Sequence, residues 1–295
     1  RKSGDASISA EVDGSFLKVW LESRTPFTAI PSLQIEQGGS VSPVPLRPVN
    51  VNEYTGVYKL SGSFNGTSHI KAFYEIGGER SEVFESFDLI TVTPEQGGSV
   101  QSDDGNLSVS FDPGTVFAPL HPIVEKTSAT RYEVEPRDVL LRGAISATMR
   151  YLPEKDPDEK LALYVNNGGG WNLAGAERNR QIRAFLLRTG HSLGSFGLLS
   201  DEQRPTISRW RASSTNVKGR PLFSFSVRDN LSGVDDEINV FLNGERIIPE
   251  FDPEKKTVFY IPLDPLPRGH YTAQIEVKDR VGNAAHLTKT LTVYR

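Results

Sequence analysis

Along the whole chain, apolar residues recur at every second position in short runs, the period of a strand whose two faces alternate between core and solvent. Phe16–Leu21 (FLKVWL), Gly56–Leu60, His69–Tyr74 (HIKAFY) and Phe84–Val92 are such runs in the first third. Leu107–Phe111, Arg131–Val134, Ile145–Tyr151, Leu161–Val165 and Ile182–Leu187 follow in the middle, and Leu222–Arg228, Ile238–Leu242, Thr257–Ile261, Tyr271–Lys278 and Leu287–Tyr294 in the last third. They return every ~8–12 residues between clusters of Gly, Pro, Asn and Asp, the spacing of a β-sandwich. Asp13-Gly14, Asn65-Gly66, Gly77-Gly78 and Asn243-Gly244 predict tight turns, because such pairs accept the positive φ that hairpin tips require. A helical period is nearly absent, and the charged stretch PEKDPDEK, starting at Pro153, is interrupted by Pro157.

No apolar run is long enough for one large core. The pattern predicts an all-β chain of three tandem β-sandwich modules, residues 1–92, 93–200 and 201–295. The second opens at Pro94-Glu95-Gln96-Gly97-Gly98, and the third follows the linker Ser200-Asp201-Glu202-Gln203-Arg204-Pro205. Short linkers, one stiffened by proline, lead us to expect a semi-rigid tandem. The modules show no clean internal repeat, so they look like related architectures and not recent copies.

Composition narrows the setting. A net charge of −4 argues against a general nucleic-acid binder, which needs a basic face to displace counterions. Cysteine is absent, as is common in exported bacterial proteins, and the expected location is the bacterial periplasm, envelope or exterior. No run of ~18 apolar residues predicts a membrane span. The chain begins at Arg1 with no charged-then-apolar leader, so we expect a processed product or segment whose first partner is an upstream domain of the same polypeptide.

The residues also carry resemblances. In the middle module, Gly97-Gly98-Ser99-Val100, Asp104-Gly105-Asn106, the run Leu107–Val116, Tyr132–Pro136, Leu161–Tyr164, Gly170–Leu173 and His191–Leu198 resemble the ZU5-like family of β domains. In the last module, Val227-Arg228-Asp229-Asn230-Leu231-Ser232-Gly233-Val234, then Val240–Gly244, then Val277-Lys278-Asp279-Arg280-Val281-Gly282-Asn283-Ala284 resemble a bacterial immunoglobulin-like domain. The two in series resemble the non-catalytic C-terminal region of exported M23-type cell-wall peptidases. That resemblance implies a catalytic domain outside this chain. The first module resembles an immunoglobulin-like sandwich and no more specific family.

Candidate chemistry is sparse. The five histidines (His69, His121, His191, His270, His286) show no HxH, HxxxH or HxxxD spacing, and without cysteine a thiolate zinc site is impossible. Gly190-His191-Ser192-Leu193-Gly194 sets a histidine beside a serine, but strand neighbours point to opposite faces. Asn167-Gly168-Gly169-Gly170 lacks the following helix a phosphate cradle needs and reads as a hairpin tip. The strongest metal candidate is the group Asp229, Asp235, Asp236, Glu237 and Asp279, with Asp229, Asp235 and Asp279 as the expected ligands and calcium as the cofactor, since acidic loops at one end of a sandwich supply the oxygens calcium prefers. The competing reading is that each carboxylate caps its own loop. The candidates for an aromatic platform that stacks on a sugar are Trp20, Trp171, Trp210 and the pair Tyr54/Tyr58; Trp20 and Trp171 read as core, and Trp210, between Arg209 and Arg211, is the first choice. No catalytic residue is assigned. The expected role is a non-catalytic spacer or partner-binding region of a larger exported protein. The alternatives are a carbohydrate- or peptidoglycan-binding module, with cell-wall glycan or another envelope protein as partner, and a hydrolase with an unfamiliar site.

Overall fold

The computed structural model describes residues 5–151, 159–215 and 217–294. Its regular structure is entirely β. The first third contains β1 (Ala6–Asp13), β2 (Phe16–Ser23), β3 (Ser32–Gln37), β4 (Ser40–Val44), β5 (Leu46–Asn50), β6 (Glu53–Lys59), β7 (Gly66–Ile76) and β8 (Glu79–Leu89). Next come β9 (Gly98–Gln101), β10 (Leu107–Phe111), β11 (Ile123–Ser128), β12 (Arg131–Glu135), β13 (Ile145–Arg150), β14 (Leu161–Asn166), β15 (Asn172–Leu173), β16 (Glu177–Asn179), β17 (Ala184–Gly190) and β18 (Gly194–Ser200). The last third contains β19 (Thr206–Ala212), β20 (Phe223–Arg228), β21 (Val234–Leu242), β22 (Glu245–Ile247), β23 (Glu250–Asp252), β24 (Thr257–Tyr260), β25 (Gly269–Asp279) and β26 (Ala284–Val293).

These strands form six sheets, two per third of the chain. The orders are β1-β2-β6-β5 with β4-β3-β7-β8, β16-β17-β13-β10-β9 with β11-β12-β18-β14-β15, and β19-β20-β24-β23 with β22-β21-β25-β26. The protein is thus an all-β tandem of three β-sandwiches. By internal contacts the chain divides into two compact units, Arg1–Arg150 with Glu177–Phe196, and Tyr151–Ala176 with Gly197–Arg295. The first sandwich lies wholly in one unit and the third wholly in the other. The stretch 153–160 falls, up to residue 158, outside the described residues.

Alternation fixes which residues meet inside. In β2, Leu17, Val19 and Leu21 are fully buried and join Leu33, Ile35, Ile70, Ala72 and Tyr74 in the first core. Trp20, expected in that core, belongs to the other parity with Phe16 and Lys18 and is only half-buried. A strand offers one parity to the interior, and here the aliphatic trio takes it. In β10 and β13 the same rule buries Leu107, Val109 and Phe111, and Ile145, Ala147 and Met149. In the last sandwich Phe223, Phe225 and Val227 of β20 meet Val240, Ile275, Val277 and Leu291.

Turn chemistry follows the sequence at two of the four expected sites. Gly77-Gly78, at φ +59° and +81°, closes β7 onto β8, and Asn243-Gly244, at +51° and +86°, closes β21 onto β22. The first hairpin is displaced by one residue: Asp13 still pairs with Phe16, so Gly14-Ser15 forms the tip. Asn65-Gly66 makes no hairpin. It lies where the chain passes from the sheet holding β6 to the sheet holding β7, and the Asn65 side-chain oxygen accepts the N–H of Thr91.

Gly97 sits at φ +68°, exchanging backbone hydrogen bonds with Thr93, and a Cβ there would stand 2.0 Å from the Phe111 carbonyl oxygen. Pro43 and Pro48 lie in β4 and β5, each an outermost strand of its sheet.

Candidate functional site

Among the described residues, buried carboxylates gather at one place, and strand ends build it. Asp229 immediately follows β20, Asp279 ends β25, and Asp201 immediately follows β18. β20 and β25 belong to the two opposed sheets of the last sandwich. Asp201, Asp229 and Asp279 each offer a carboxylate oxygen, and these oxygens all lie within 4.8 Å of one another. Asp201 and Asp279 are each only 1% exposed, and Asp229 is half-buried.

Each carboxylate also organises its own loop, and Asp229 and Asp279 do so in one repeated geometry. Asp229 Oδ2 accepts the N–H groups of Leu231 (3.0 Å) and Gly233 (2.8 Å). Asp279 Oδ1 accepts those of Val281 (3.0 Å) and Asn283 (2.8 Å). Asp201 Oδ1 accepts the N–H of Gln203 at 3.2 Å. A carboxylate that accepts N–H bonds two and four residues ahead holds a turn that would otherwise leave those donors orphaned. The loop-capping reading of Asp229 and Asp279 therefore describes these two residues well, and it does not compete with their convergence.

A second layer of bonds joins the segment after β18 to both loops. Ser232 donates its backbone N–H to Asp201 Oδ2 at 2.9 Å. Asn283 Nδ2 donates to the Asp201 carbonyl at 2.7 Å and to Asp279 Oδ2 at 2.6 Å. Every one of these donors is a neutral N–H group.

Around the carboxylates several polar atoms are buried without a hydrogen-bond partner: Asp229 Oδ1, the Ser232 hydroxyl and the Tyr164 hydroxyl. Tyr164, on β14, is fully buried. Its phenol is held well above the ordinary tyrosine range, first by burial and then by the negative charges of Asp201, Asp279 and Asp229. It is therefore a neutral hydroxyl facing a concentration of negative charge.

The sequence-predicted residues fare unequally. Asp229 and Asp279 come together. Asp235 does not join them: it lies in β21, where a bulged stretch separates the pairing at Val234 from that at Ile238, and its Oδ1 accepts the Glu237 N–H at 3.4 Å. Asp201 takes the third place. A signal for it existed, since Asp201 also stands at a strand end with a loop to cap, but reading 200–205 as linker hid it.

Trp210 is half-buried and stacks on Phe223 (ring centroids 5.0 Å apart, 23° between planes) and on Phe225 (6.3 Å, 20°), packing against the last core. Tyr54 and Tyr58 likewise pack against the first core. His191 and Ser192 lie between β17 and β18, not on a strand. Gly168 and Gly170 form a turn whose N–H groups both bond Asn166 Oδ1, at 2.9 and 3.2 Å, between the paired strands β14 and β15. His121 is buried against Thr91, with Nδ1 3.1 Å from the threonine hydroxyl and Nε2 without a partner. Burial holds its imidazole below the ordinary histidine range, opposed by a backbone hydrogen bond at Ile90.

No family model matches the chain, and no curated protein matches it. Among solved structures, it is similar to the I-band fragment I67–I69 of titin, with 9% identity over 98% of this chain and 99% of that one, at a TM-score of 0.24. A three-Ig structure of the same titin domains carrying Glu-to-Ala changes gives the same values. The D1–D4 ectodomain fragment of ICAM-5 is similar at 11% identity, over 98% of this chain and 76% of that one, with a TM-score of 0.21. At such TM-scores the fold description rests on the sheets themselves.

Proposed function

We propose that this chain is a non-catalytic, extracytoplasmic spacer or partner-binding region of a larger exported bacterial protein, built from immunoglobulin-like and ZU5-like modules at residues 1–92, 93–200 and 201–295. An upstream domain of the same polypeptide, such as a cell-wall peptidase domain, is what it would hold at a distance or present.

The observation that supports this reading is the fastening of the segment that begins at Asp201. The Asp201 side chain and carbonyl are both bonded to loops of the last sandwich, through Ser232 N–H and Asn283 Nδ2. A loose tether gains nothing from three buried groups devoted to fixing its direction. A spacer that must transmit position does, because each bond removes freedom that would otherwise let the chain swivel.

Glutamyl endopeptidase tests the junction. Glu202 is exposed, yet a fastened segment must open before a protease can bind it. We expect slow cleavage after Glu202 in the wild-type chain and markedly faster cleavage in Asn283→Ala. Cutting at the same rate in both would remove the basis of the spacer reading. A parallel screen against peptidoglycan and soluble glycans should find no saturable binding; saturable binding would favour a carbohydrate-binding module.

A further inference from the structure

We infer that Asp201, Asp229 and Asp279, with the hydroxyls of Tyr164 and Ser232, form a calcium-binding site at the end of the last sandwich. Two independent observations meet there.

The first is the geometry of charge. Three carboxylate oxygens lie within 4.8 Å of one another. Calcium binds oxygens at about 2.3–2.6 Å, so ligands of one ion stand at most about 5 Å apart. Like charges held that close while two of the three residues are almost fully buried repel strongly, because little water screens them. Neutral N–H donors lessen this but do not balance it. One divalent cation reduces the formal charge of the trio from three negatives to one. The N–H bonds leave room for such an ion: Asp229 Oδ1 accepts none of them, and Asp279 Oδ2 and the two Asp201 oxygens accept one each, so every residue of the trio keeps an oxygen with a free lone pair.

The second observation is the set of unsatisfied oxygens. Tyr164 is 0% exposed and Ser232 is 2% exposed, yet neither hydroxyl has a hydrogen-bond partner. Asp229 Oδ1 also lacks one. A buried hydroxyl without a partner carries the full desolvation cost of the group. Asp229 Oδ1 belongs to the trio, and Ser232 is tied to it through its backbone N–H on Asp201 Oδ2, so these orphans stand at one place and point to a shared missing partner. A cation that accepts lone pairs, directly or through its bound waters, satisfies them together.

The donor set also selects the ion. Carboxylates and hydroxyls are hard oxygens, with no imidazole or thiolate to favour zinc or copper. Magnesium demands a near-ideal octahedron, whereas calcium accepts an irregular set completed by water.

The test uses the purified chain stripped of metal with EDTA. Titration with terbium(III), excited in the tyrosine band, should give saturable emission that calcium displaces and Tyr164→Phe weakens. Calcium at about one hundred times its dissociation constant should shift the unfolding equilibrium of this unit by about a hundredfold toward the folded form. Asp229→Asn keeps an oxygen for the Leu231 and Gly233 N–H groups while removing a charge, and it should abolish the calcium shift. Should that variant fail to fold, Tyr164→Phe decides: it should be as stable as wild type or more so in EDTA, and gain less from calcium. Melting that is identical in EDTA and in excess calcium would overturn the site. So would an undiminished calcium shift in both variants, or magnesium serving equally well at equal concentration.

Discussion

Asn283→Ala isolates the fastening of the Asp201 segment. Asn283 is 6% exposed, and its side-chain nitrogen makes two short bonds, 2.7 Å to the Asp201 carbonyl and 2.6 Å to Asp279 Oδ2. The backbone bond from Asn283 N–H to Asp279 Oδ1 survives the substitution. A bond to a charged acceptor contributes about 1.5–3 kcal/mol and one to a carbonyl about 0.5–1.5 kcal/mol. Removing both therefore costs about 3 kcal/mol, or roughly a hundredfold in the unfolding equilibrium, and the variant should still fold. The assay is urea unfolding in EDTA, followed by Trp210 fluorescence in a background with Trp20 and Trp171 replaced by Phe. Trp210 stacks on Phe223 within the last core, so it reports on the affected sandwich. The midpoint should fall with the slope unchanged. A loss below about 1 kcal/mol would refute the reasoning, because it would mean that water replaces the amide without penalty and the segment is not fastened by it.

Gly97→Ala should cost on the order of 3–5 kcal/mol, since its Cβ meets a backbone oxygen that no rotamer change can move; Gly14→Ala, also at positive φ but with open space around it, should cost only about 1 kcal/mol, and denaturant midpoints compare the two. Burial favours neutral His121, so its folded value lies below the unfolded 6.5; the unfolded chain then binds more protons, and this contribution is complete above about pH 6.5 and declines as pH falls below it. Urea midpoints across that range should show the decline in the wild type and a shallower one in His121→Gln. Trp210→Ala should destabilise the last sandwich by about 2–3 kcal/mol through lost packing; unchanged stability, together with saturable glycan binding by the wild type that the variant loses, would return Trp210 to the role of a sugar platform.

Much of the architecture was legible because a strand advertises itself by parity. Leu107, Val109 and Phe111 could only face one way, and β10 has the bounds the alternation predicts. Gly77-Gly78 was legible because both tip residues require positive φ. Parity alone could not say which of two apolar sets in FLKVWL faces inward, and Trp20 shows the consequence. Asn65-Gly66 has the composition of a hairpin tip, but the chain there changes sheets, a choice made by packing and not by local preference. The metal candidate was half legible. Asp229 and Asp279 stand in matching contexts, D-x-x-S-G and D-x-x-G-N, whose shared cap is a local property. Their meeting with Asp201 and Tyr164 depends on strand order and contacts between residues far apart in sequence, and no spacing rule encodes it.

The prolines of β4 and β5 bear on how such a tandem behaves when crowded. An outermost strand exposes a ladder of free N–H and C=O groups on which a second chain can assemble, and tandem arrays bring many such ladders together. Pro43 and Pro48 break that ladder because neither has an N–H to give, and both lie at the rim where the omission harms no internal pairing. Fibril-like growth from these two rims is thereby discouraged. A partner that extends the first sandwich by strand addition would have to use β1 or β8 instead, and on β8 it would meet Glu79, Glu82, Glu85 and Asp88.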